Sequence, residues 1–134
     1  MINLKFAQDI VNRVVAEAAA QNLPVSAVVV DAGGNMVAGA RMDGAGYLSW
    51  QGAFKKARTA AGMGFPTEAI SGMAAQDPLI AAALHGDADF FILPGGIPIM
   101  KNGAVVGAVG VAGGIYHQDQ AIAAKALEAQ MVDS

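Results

Sequence analysis

The densest group of chemically reactive side chains lies close to the C-terminal end of the sequence. Tyr116, His117 and Asp119 bring a phenol, an imidazole and a carboxylate together within a short stretch. An imidazole exchanges protons near neutral pH and also binds iron. A nearby carboxylate can orient that ring, or it can cap the helix that follows. The group therefore predicts either a catalytic acid–base centre formed by all three residues or a haem axial ligand at His117.

The other histidine, His85, lies in the sequence Leu84-His85-Gly86-Asp87. Two interpretations of this position remain open. His85 is a second candidate for the axial ligand of a haem iron. Alternatively, it is a cation at the C-terminal end of a helix, where the helix dipole favours positive charge.

Three cations, Lys55, Lys56 and Arg58, occur close together on one predicted helix. Lys55 and Arg58 share a face of that helix, whereas Lys56 lies about 100° away from Lys55. Charged residues make up only 14% of the chain, so a cluster of cations carries more weight here than usual. We predict that these residues bind a carboxylate or another anionic group, with a solvated helix face as the alternative.

Two glycine pairs, Gly95-Gly96 and Gly113-Gly114, flank a segment with an Asn102-Gly103 turn at its middle. Glycines expose backbone N–H groups, which can form a cradle for an anion. The alternative is that these glycines permit turns and close packing of the chain. We predict a ligand-binding role for all four glycines. The small residues of the second strand further predict a close neighbour, which is a helix, another subunit or a ligand.

The remaining sequence supplies the elements that position these residues. Apolar residues at helical spacing predict helices, and valine-rich segments between turn residues predict strands. The predicted helices cover residues 3–21 and 49–63, two shorter segments that begin near 67 and 77, and residues 118–132. The predicted strands cover residues 25–31, 36–42 and 89–93 and the two arms of the hairpin around Asn102-Gly103. Five strands joined mainly by hairpins predict an α+β fold in which helices flank an antiparallel sheet.

The composition restricts the class of protein further. A chain of 134 residues is long enough for one domain, which we place at residues 1–134. The net charge of −3 argues against a nucleic acid partner. We find neither a signal peptide nor a stretch long enough to span a membrane, so we expect a cytoplasmic protein. The hydrophobic content of 54% predicts that part of the surface is covered in a homo-oligomer.

Several segments form a specific series of motifs. They are Val28-Val29-Val30-Asp31-x-x-Gly34, Arg41-Met42-Asp43-Gly44-Ala45, Lys56-Ala57-Arg58-Thr59-Ala60, Pro66-Thr67, Gly95-Gly96-Ile97-Pro98-Ile99 and Val106-Gly107-Ala108-Val109-Gly110-Val111. In this order, and over nearly the whole chain, they resemble the GlcG/HbpS family. This family is also called DUF336 and is related to the C-terminal domain of PduO-type proteins.

The resemblance implies a profilin-like fold with a five-stranded antiparallel sheet. It also implies homo-oligomers, as dimers or larger assemblies up to octamers, and haem as the cofactor. His117 or His85 would be the axial ligand, and the three cations would hold the haem propionates. The chain departs from the family around Tyr116 and His117, where many relatives carry small polar residues, and this departure indicates a ligand or chemistry specific to its branch.

Three functions remain open at this point. The first is a cytoplasmic small-molecule-binding protein that holds haem or another anionic ligand in a pocket near the basic helix and the last strand. The second is a small enzyme of the isomerase, hydratase or decarboxylase type, which uses His117 as general acid or base on a small carboxylate or oxygenated aromatic catabolite. The third is an accessory protein with a vestigial pocket. We predict no intrinsic metal site, because no motif has metal-ligand spacing.

Overall fold

The computed structural model describes residues 2–133. The helices predicted from the sequence are confirmed, and their ends differ from the prediction by one or two residues. In chain order the elements are α1 (Leu4–Ala20), β1 (Ser26–Asp31), β2 (Met36–Arg41), α2 (Tyr47–Met63), α3 (Thr67–Gln76), α4 (Pro78–His85), β3 (Gly96–Lys101), β4 (Ala104–Ala112) and α5 (Tyr116–Asp133).

An antiparallel sheet with the strand order β2-β1-β4-β3 forms the middle layer. Successive residues of β1 point to opposite faces of this sheet. Ala27 and Val29 pack in a cluster with α1 and α5, whereas Val28 and Val30 pack in a second cluster with α2. Because both faces are covered, β1 is a continuous apolar segment rather than an alternating one. The predicted α+β fold, a sheet flanked by helices, is confirmed.

Helix α2 lies directly against the backbone of β4. A Cβ atom at Gly110 would overlap the carbonyl oxygen of Ala53 and would lie 2.7 Å from the amide nitrogen of Ala57. The close neighbour predicted for this strand is therefore, at Gly110, a helix of the same chain. This contact also holds Lys56, which precedes Ala57 on α2, near the end of the sheet.

The Asn102-Gly103 turn joins β3 and β4 as predicted. Both residues have positive φ angles, 53° at Asn102 and 80° at Gly103, as a two-residue type I′ hairpin requires. Strand β3 lies at the edge of the sheet. An edge strand accommodates Pro98, which has no N–H group to donate.

Residues 89–93 do not form the predicted strand, so the expectation of a five-stranded sheet is wrong. The sheet has four strands within residues 2–133. Backbone groups of this segment bond to side chains of neighbouring helices instead of to a strand. The amide of Phe91 donates to the Thr59 hydroxyl at 3.1 Å, and the Ser71 hydroxyl donates to the carbonyl of Ile92 at 2.5 Å. The apolar residues signalled burial correctly, but burial against helices does not require a strand.

Helix α5 begins at Tyr116, two residues earlier than predicted. The side chain of Gln118 accepts a hydrogen bond from the amide of Ile115 at 2.9 Å. This contact satisfies a backbone donor that would otherwise lack a partner at the helix start. The early start places Asp119 in the first turn of the helix.

Candidate functional site

A buried ion pair joins α2 to α5. Lys56 Nζ lies 3.2 Å from Asp119 Oδ2 and donates a hydrogen bond to the carbonyl oxygen of Val111 at 2.9 Å. Both charged side chains are at most 3% exposed. The centroid of the Phe91 ring lies 5.7 Å from Nζ, which is within the range of a cation–π interaction. Buried charges need such partners, because removal from water costs each ion several kcal/mol.

The glycine pair before α5 holds the other end of this ion pair. Asp119 Oδ1 accepts a hydrogen bond from the amide of Gly114 at 2.9 Å, and the amide of Gly113 also stabilises the carboxylate. The anion that these two glycines contact is therefore a carboxylate of the chain itself. Their role in binding an external ligand stays a prediction.

Burial disfavours the charged form of each partner and so shifts both pKa values. It raises the pKa of Asp119 and lowers the pKa of Lys56. Their mutual attraction and the hydrogen bond from Gly114 oppose these shifts only in part. Ionisable groups with shifted pKa values beside a cleft are found at sites that transfer protons or bind ligands, and also in structural ion pairs.

The ion pair lines a cleft of about 480 Å³, which we call the site cleft. Its walls come from the loop at residues 44–46, the first half of α2, Phe91, Leu93 and residues 112–116. The rim is apolar and accessible, since Leu93 is 46% exposed and Ile115 is 61% exposed. A ligand with an apolar body and one polar group would cover this rim while the polar group reached the ion pair.

The structure divides the predicted group of Tyr116, His117 and Asp119. Tyr116 lines the site cleft, whereas His117 is exposed and is not among the residues of its lining. The two rings are in contact, with centroids 4.3 Å apart. Asp119 bonds to Lys56 and Gly114 rather than to the imidazole, so it does not orient His117. A catalytic role for His117 remains a prediction.

The other glycine pair lies against Lys56 and α3. The amide of Gly95 donates to Gln120 Oε1 at 3.1 Å, and the amide of Gly96 donates to Thr67 Oγ1 at 2.9 Å. A Cβ atom at Gly95 would lie 2.9 Å from Lys56 Nζ. These glycines therefore make room for Lys56, and their amides already have protein acceptors. Their predicted ligand-binding role is untested.

The three predicted cations occupy different surroundings. Lys56 lies in the site cleft, whereas Lys55 is half-buried and is not part of the cleft lining. Arg58 is exposed, and its guanidinium carbon lies 5.7 Å from the centroid of the Phe54 ring. It lines a different cavity, of about 190 Å³, together with Phe90. The structure therefore does not bring the three cations to one anion-binding site.

His85 lines an apolar cavity of about 540 Å³, which we call the His85 cavity. All of its lining residues come from residues 84–93. The cavity adjoins the site cleft, with which it shares Phe91 and Leu93, and it shares Phe90 with the cavity beside α2. His85 is exposed and lies in the last turn of α4. Its imidazole is therefore accessible at the edge of an apolar surface.

Sequence reasoning named Lys56 and Asp119 separately but missed that they form a pair. They are 63 residues apart, and no local pattern connects them. The available signal was the scarcity of charge, because a lysine and an aspartate within alanine-rich helices are candidates for a buried pair. The contribution of Phe91 was missed because its segment was predicted to be a strand.

Two further features are absent from the part of the chain that the structure describes. Within residues 2–133, no group of three or more His, Cys, Asp or Glu side chains is arranged to hold a metal ion. In the same range, no helix combines the length and the apolar composition that crossing a membrane requires.

Comparison with known proteins relates nearly the whole chain to one family. Residues 2–128 match a family model described as haem degrading protein HbpS-like. A curated relative is the uncharacterized 15.0 kDa protein in the dhaT-dhaS intergenic region of Citrobacter freundii. It is 37% identical over 128 residues, which cover 95% of this chain and 90% of the relative.

Solved structures agree with this match. A double mutant of HbpS from Streptomyces reticuli is 32% identical and superimposes with a TM-score of 0.88, covering 96% of this chain and 86% of that chain. The PduOC:haem complex is 28% identical with a TM-score of 0.86, covering 96% of this chain and 94% of that chain. Sequence motifs, family model and fold all agree, and the chain belongs to the HbpS-like family, DUF336.

Proposed function

We propose that this protein binds haem in the His85 cavity, with His85 as the axial ligand of the iron. One observation carries the proposal: of the two histidines, His85 lines an apolar cavity, whereas His117 is not in the lining of the site cleft. Membership of the HbpS-like family supports small-molecule binding in general. The description of the family model and the haem complex of PduOC support haem as the ligand.

The residues present fit the chemical demands of haem. Haem needs apolar walls, an axial donor and cations near its propionates. The aromatic and aliphatic residues of 84–93 form the walls, and His85 provides a nitrogen donor. Arg58 is a candidate cation for a propionate, because the cavity that it lines shares Phe90 with the His85 cavity. Bound haem would supply iron chemistry, while these side chains would bind it and exclude water.

A haem titration followed by Soret absorbance tests the proposal. We expect saturable one-to-one binding by the wild type. His85→Ala should bind haem at least about tenfold more weakly, a change equivalent to about 1.4 kcal/mol of binding free energy. His117→Ala is the matched control, since it removes the other exposed imidazole, and it should bind as the wild type does.

Two results would contradict this assignment. Loss of binding in His117→Ala with normal binding in His85→Ala would show that the axial ligand is His117, on α5. A weak, non-saturating signal that neither substitution changes would show that haem is not the ligand.

A second candidate function is an enzyme of the isomerase, hydratase or decarboxylase type, and one observation favours it. The two ionisable groups whose pKa values burial shifts most clearly, Lys56 and Asp119, both line the site cleft. We infer that such an enzyme would move protons with this pair on a small carboxylate or oxygenated aromatic compound. Screening these compounds by NMR in heavy water tests the idea. We expect the rate of turnover to be unchanged in His117→Ala and lower in Asp119→Asn.

We also propose that the protein is a cytoplasmic homo-oligomer. Several large apolar side chains are exposed, among them Leu79 at 78% and Tyr47 at 72%. Surfaces of this kind are commonly covered by a second copy of the chain. Sedimentation equilibrium over a range of concentrations would show a dimer or a larger assembly, whereas a monomer at all concentrations would contradict the proposal.

A further inference from the structure

The ammonium group of Lys56 has one hydrogen-bonding position that no protein acceptor fills. A lysine ammonium has three N–H donors. Two acceptors are in place, the Val111 carbonyl oxygen at 2.9 Å and Asp119 Oδ2 at 3.2 Å. Nζ also lies 5.7 Å from the centroid of the Phe91 ring and close to Gly95, where an added Cβ atom would be 2.9 Å away. Neither neighbour is a hydrogen-bond acceptor of Nζ, and Lys56 lines the site cleft, so we assign the third position to a molecule bound there.

This arrangement orients the amine when Lys56 gives a proton to water and Asp119 stays a carboxylate. The same two acceptors hold the two remaining N–H groups, so the lone pair takes the third position. A neutral amine with a free lone pair is the form that attacks a carbonyl carbon. Burial lowers the pKa of Lys56 and so favours this form. The other ionisable side chains that line the cleft are Asp119 and Tyr116.

We propose that the site cleft binds a small apolar aldehyde or ketone and that Lys56 forms an imine with it, with Asp119 as the proton carrier. This activity goes beyond haem binding and does not depend on it. Nζ attacks the carbonyl carbon, and the carbon–oxygen π electrons move to oxygen. Asp119 Oδ2, already hydrogen-bonded to Nζ, takes a proton from nitrogen and delivers it to that oxygen.

A second transfer of the same kind completes the step. Asp119 takes the remaining proton from nitrogen and delivers it to the hydroxyl group of the carbinolamine. Water leaves, the carbon–nitrogen double bond forms, and Asp119 returns to its starting state. The overall change is amine plus carbonyl to imine plus water, so no oxidant or reductant is required.

The walls of the cleft indicate the class of carbonyl compound. Leu93, Ile115 and the rings of Phe91 and Tyr116 form a largely apolar surface. The floor carries one positive and one negative group in contact, so it presents no net charge to a ligand. An apolar body is therefore favoured over a charged one, because a charged body would lose its hydration without gaining a counter-ion.

A purely structural ion pair would explain why Lys56 and Asp119 are buried together. It would not require an open cleft of about 480 Å³ lined by Lys56 and Asp119. The two interpretations differ in one measurable property, which is the reactivity of Lys56 toward carbonyl compounds.

Reductive trapping measures that reactivity. The folded protein is incubated with benzaldehyde and sodium cyanoborohydride at pH 7, and labelled lysines are located by peptide mass spectrometry. The lowered pKa leaves more of Lys56 than of an ordinary lysine as the neutral amine at that pH. We expect Lys56 to be labelled several-fold faster than Lys55, its neighbour in the chain and an internal control. Asp119→Asn should slow labelling of Lys56 without slowing that of Lys55.

Lys56→Arg is the matched variant, because it keeps the cation beside Asp119 but removes the nucleophilic amine. It should lose the fast label. The comparison of Lys56 with Lys55 in the wild type decides the question even if this variant fails to fold. Labelling of Lys56 that is no faster than labelling of Lys55, or absent, would overturn the proposal while leaving the haem assignment untouched.

Discussion

The site cleft and the His85 cavity share the side chains of Phe91 and Leu93, yet they are built in different ways. The cleft collects side chains from several separate parts of the chain, and its ion pair joins positions 63 residues apart. The His85 cavity is lined entirely by residues 84–93. The cleft therefore depends on the assembled fold, whereas the cavity depends mainly on one local segment. Substitutions at Lys56 and Asp119 should change stability, whereas a substitution at the exposed His85 should change ligand binding with little effect on stability.

The largest expected effect is the loss of the cation in the cleft. Lys56→Met leaves the carboxylate of Asp119 buried without its counter-ion, which raises the pKa of Asp119 further. We expect the free energy of unfolding to fall by about 3–5 kcal/mol. In the His85 cavity, His85→Ala changes an exposed side chain and should cost no more than about 0.5 kcal/mol. Urea unfolding of both variants at neutral pH makes the comparison.

The double variant Lys56→Met with Asp119→Leu is the control for this prediction. It removes both charges, so most of the stability lost in the single variant should return. A single variant as stable as the wild type would mean that the ion pair does not hold α5 to α2. The inference that the site cleft depends on the assembled fold more than the His85 cavity does would then be wrong.

A smaller effect is expected from a methyl group added at a glycine next to Lys56 and at a glycine within residues 84–93. At Gly96, a Cβ atom would overlap the carbonyl oxygen of Lys56 and lie 2.9 Å from a methyl carbon of Thr67. Gly96→Ala should therefore destabilise the protein by about 1–3 kcal/mol. At Gly86, the nearest atom is the Ala83 carbonyl oxygen at 3.5 Å and the backbone is right-handed helical. Gly86→Ala should be neutral or stabilising by up to about 1 kcal/mol.

Thermal unfolding of these two alanine variants in parallel gives the order of their stabilities. The local construction of the His85 cavity predicts that only Gly96→Ala lowers the melting temperature. Equal losses in both variants would show that residues 84–93 are as tightly constrained as the cleft.

The smallest effect concerns the pH dependence of two aspartates. Burial raises the folded-state pKa of Asp119 above its ordinary value of 3.8. Its contribution to stability is therefore complete below that value and is lost as the pH rises through the folded pKa. Hydrogen bonds from Asn35 and Gly33 lower the pKa of Asp31. Its contribution is present above the ordinary value and is lost as the pH falls through the folded pKa.

Carboxyl carbon chemical shifts followed by NMR between about pH 2 and pH 7 measure both titrations. The signal of Asp119, identified by its absence in Asp119→Asn, should titrate above that of Asp31. The reverse order would mean that Lys56 compensates fully for the burial of Asp119, and it would weaken the case for chemistry in the cleft.

The elements that could be predicted from the sequence are those with a local cause. Apolar residues repeated at helical spacing predicted α1. The Asn-Gly pair, which favours positive φ angles, predicted the turn at Asn102 and Gly103. The segment 89–93 was predicted wrongly, because its apolar residues indicate burial without indicating what covers them. Its backbone is satisfied by hydroxyl groups of Thr59 and Ser71, which lie on other elements and leave no local signal.

The site was predicted as single residues rather than as an arrangement. Rarity of charge and of histidine was enough to select Lys56, Asp119 and His85, because unusual residue types stand out in an alanine-rich chain. Their partners did not follow from the sequence. Asp119 was predicted either to orient His117, two positions away, or to cap the helix, whereas the structure pairs it with Lys56. Closeness along the chain was a poor guide, since residues two apart on a helix do not face each other.

The helices, most of the strands, the hairpin turn and the family could be predicted from the sequence, because each is indicated by residues that lie near one another in the chain. Which ionisable side chains meet depends on the folded chain instead. Helix α2 packs on β4, and α5 follows β4 in the chain, so Lys56 and Asp119 reach the same end of the sheet. A buried charge is tolerated only beside its opposite, and whether that partner is present depends on how the whole chain folds.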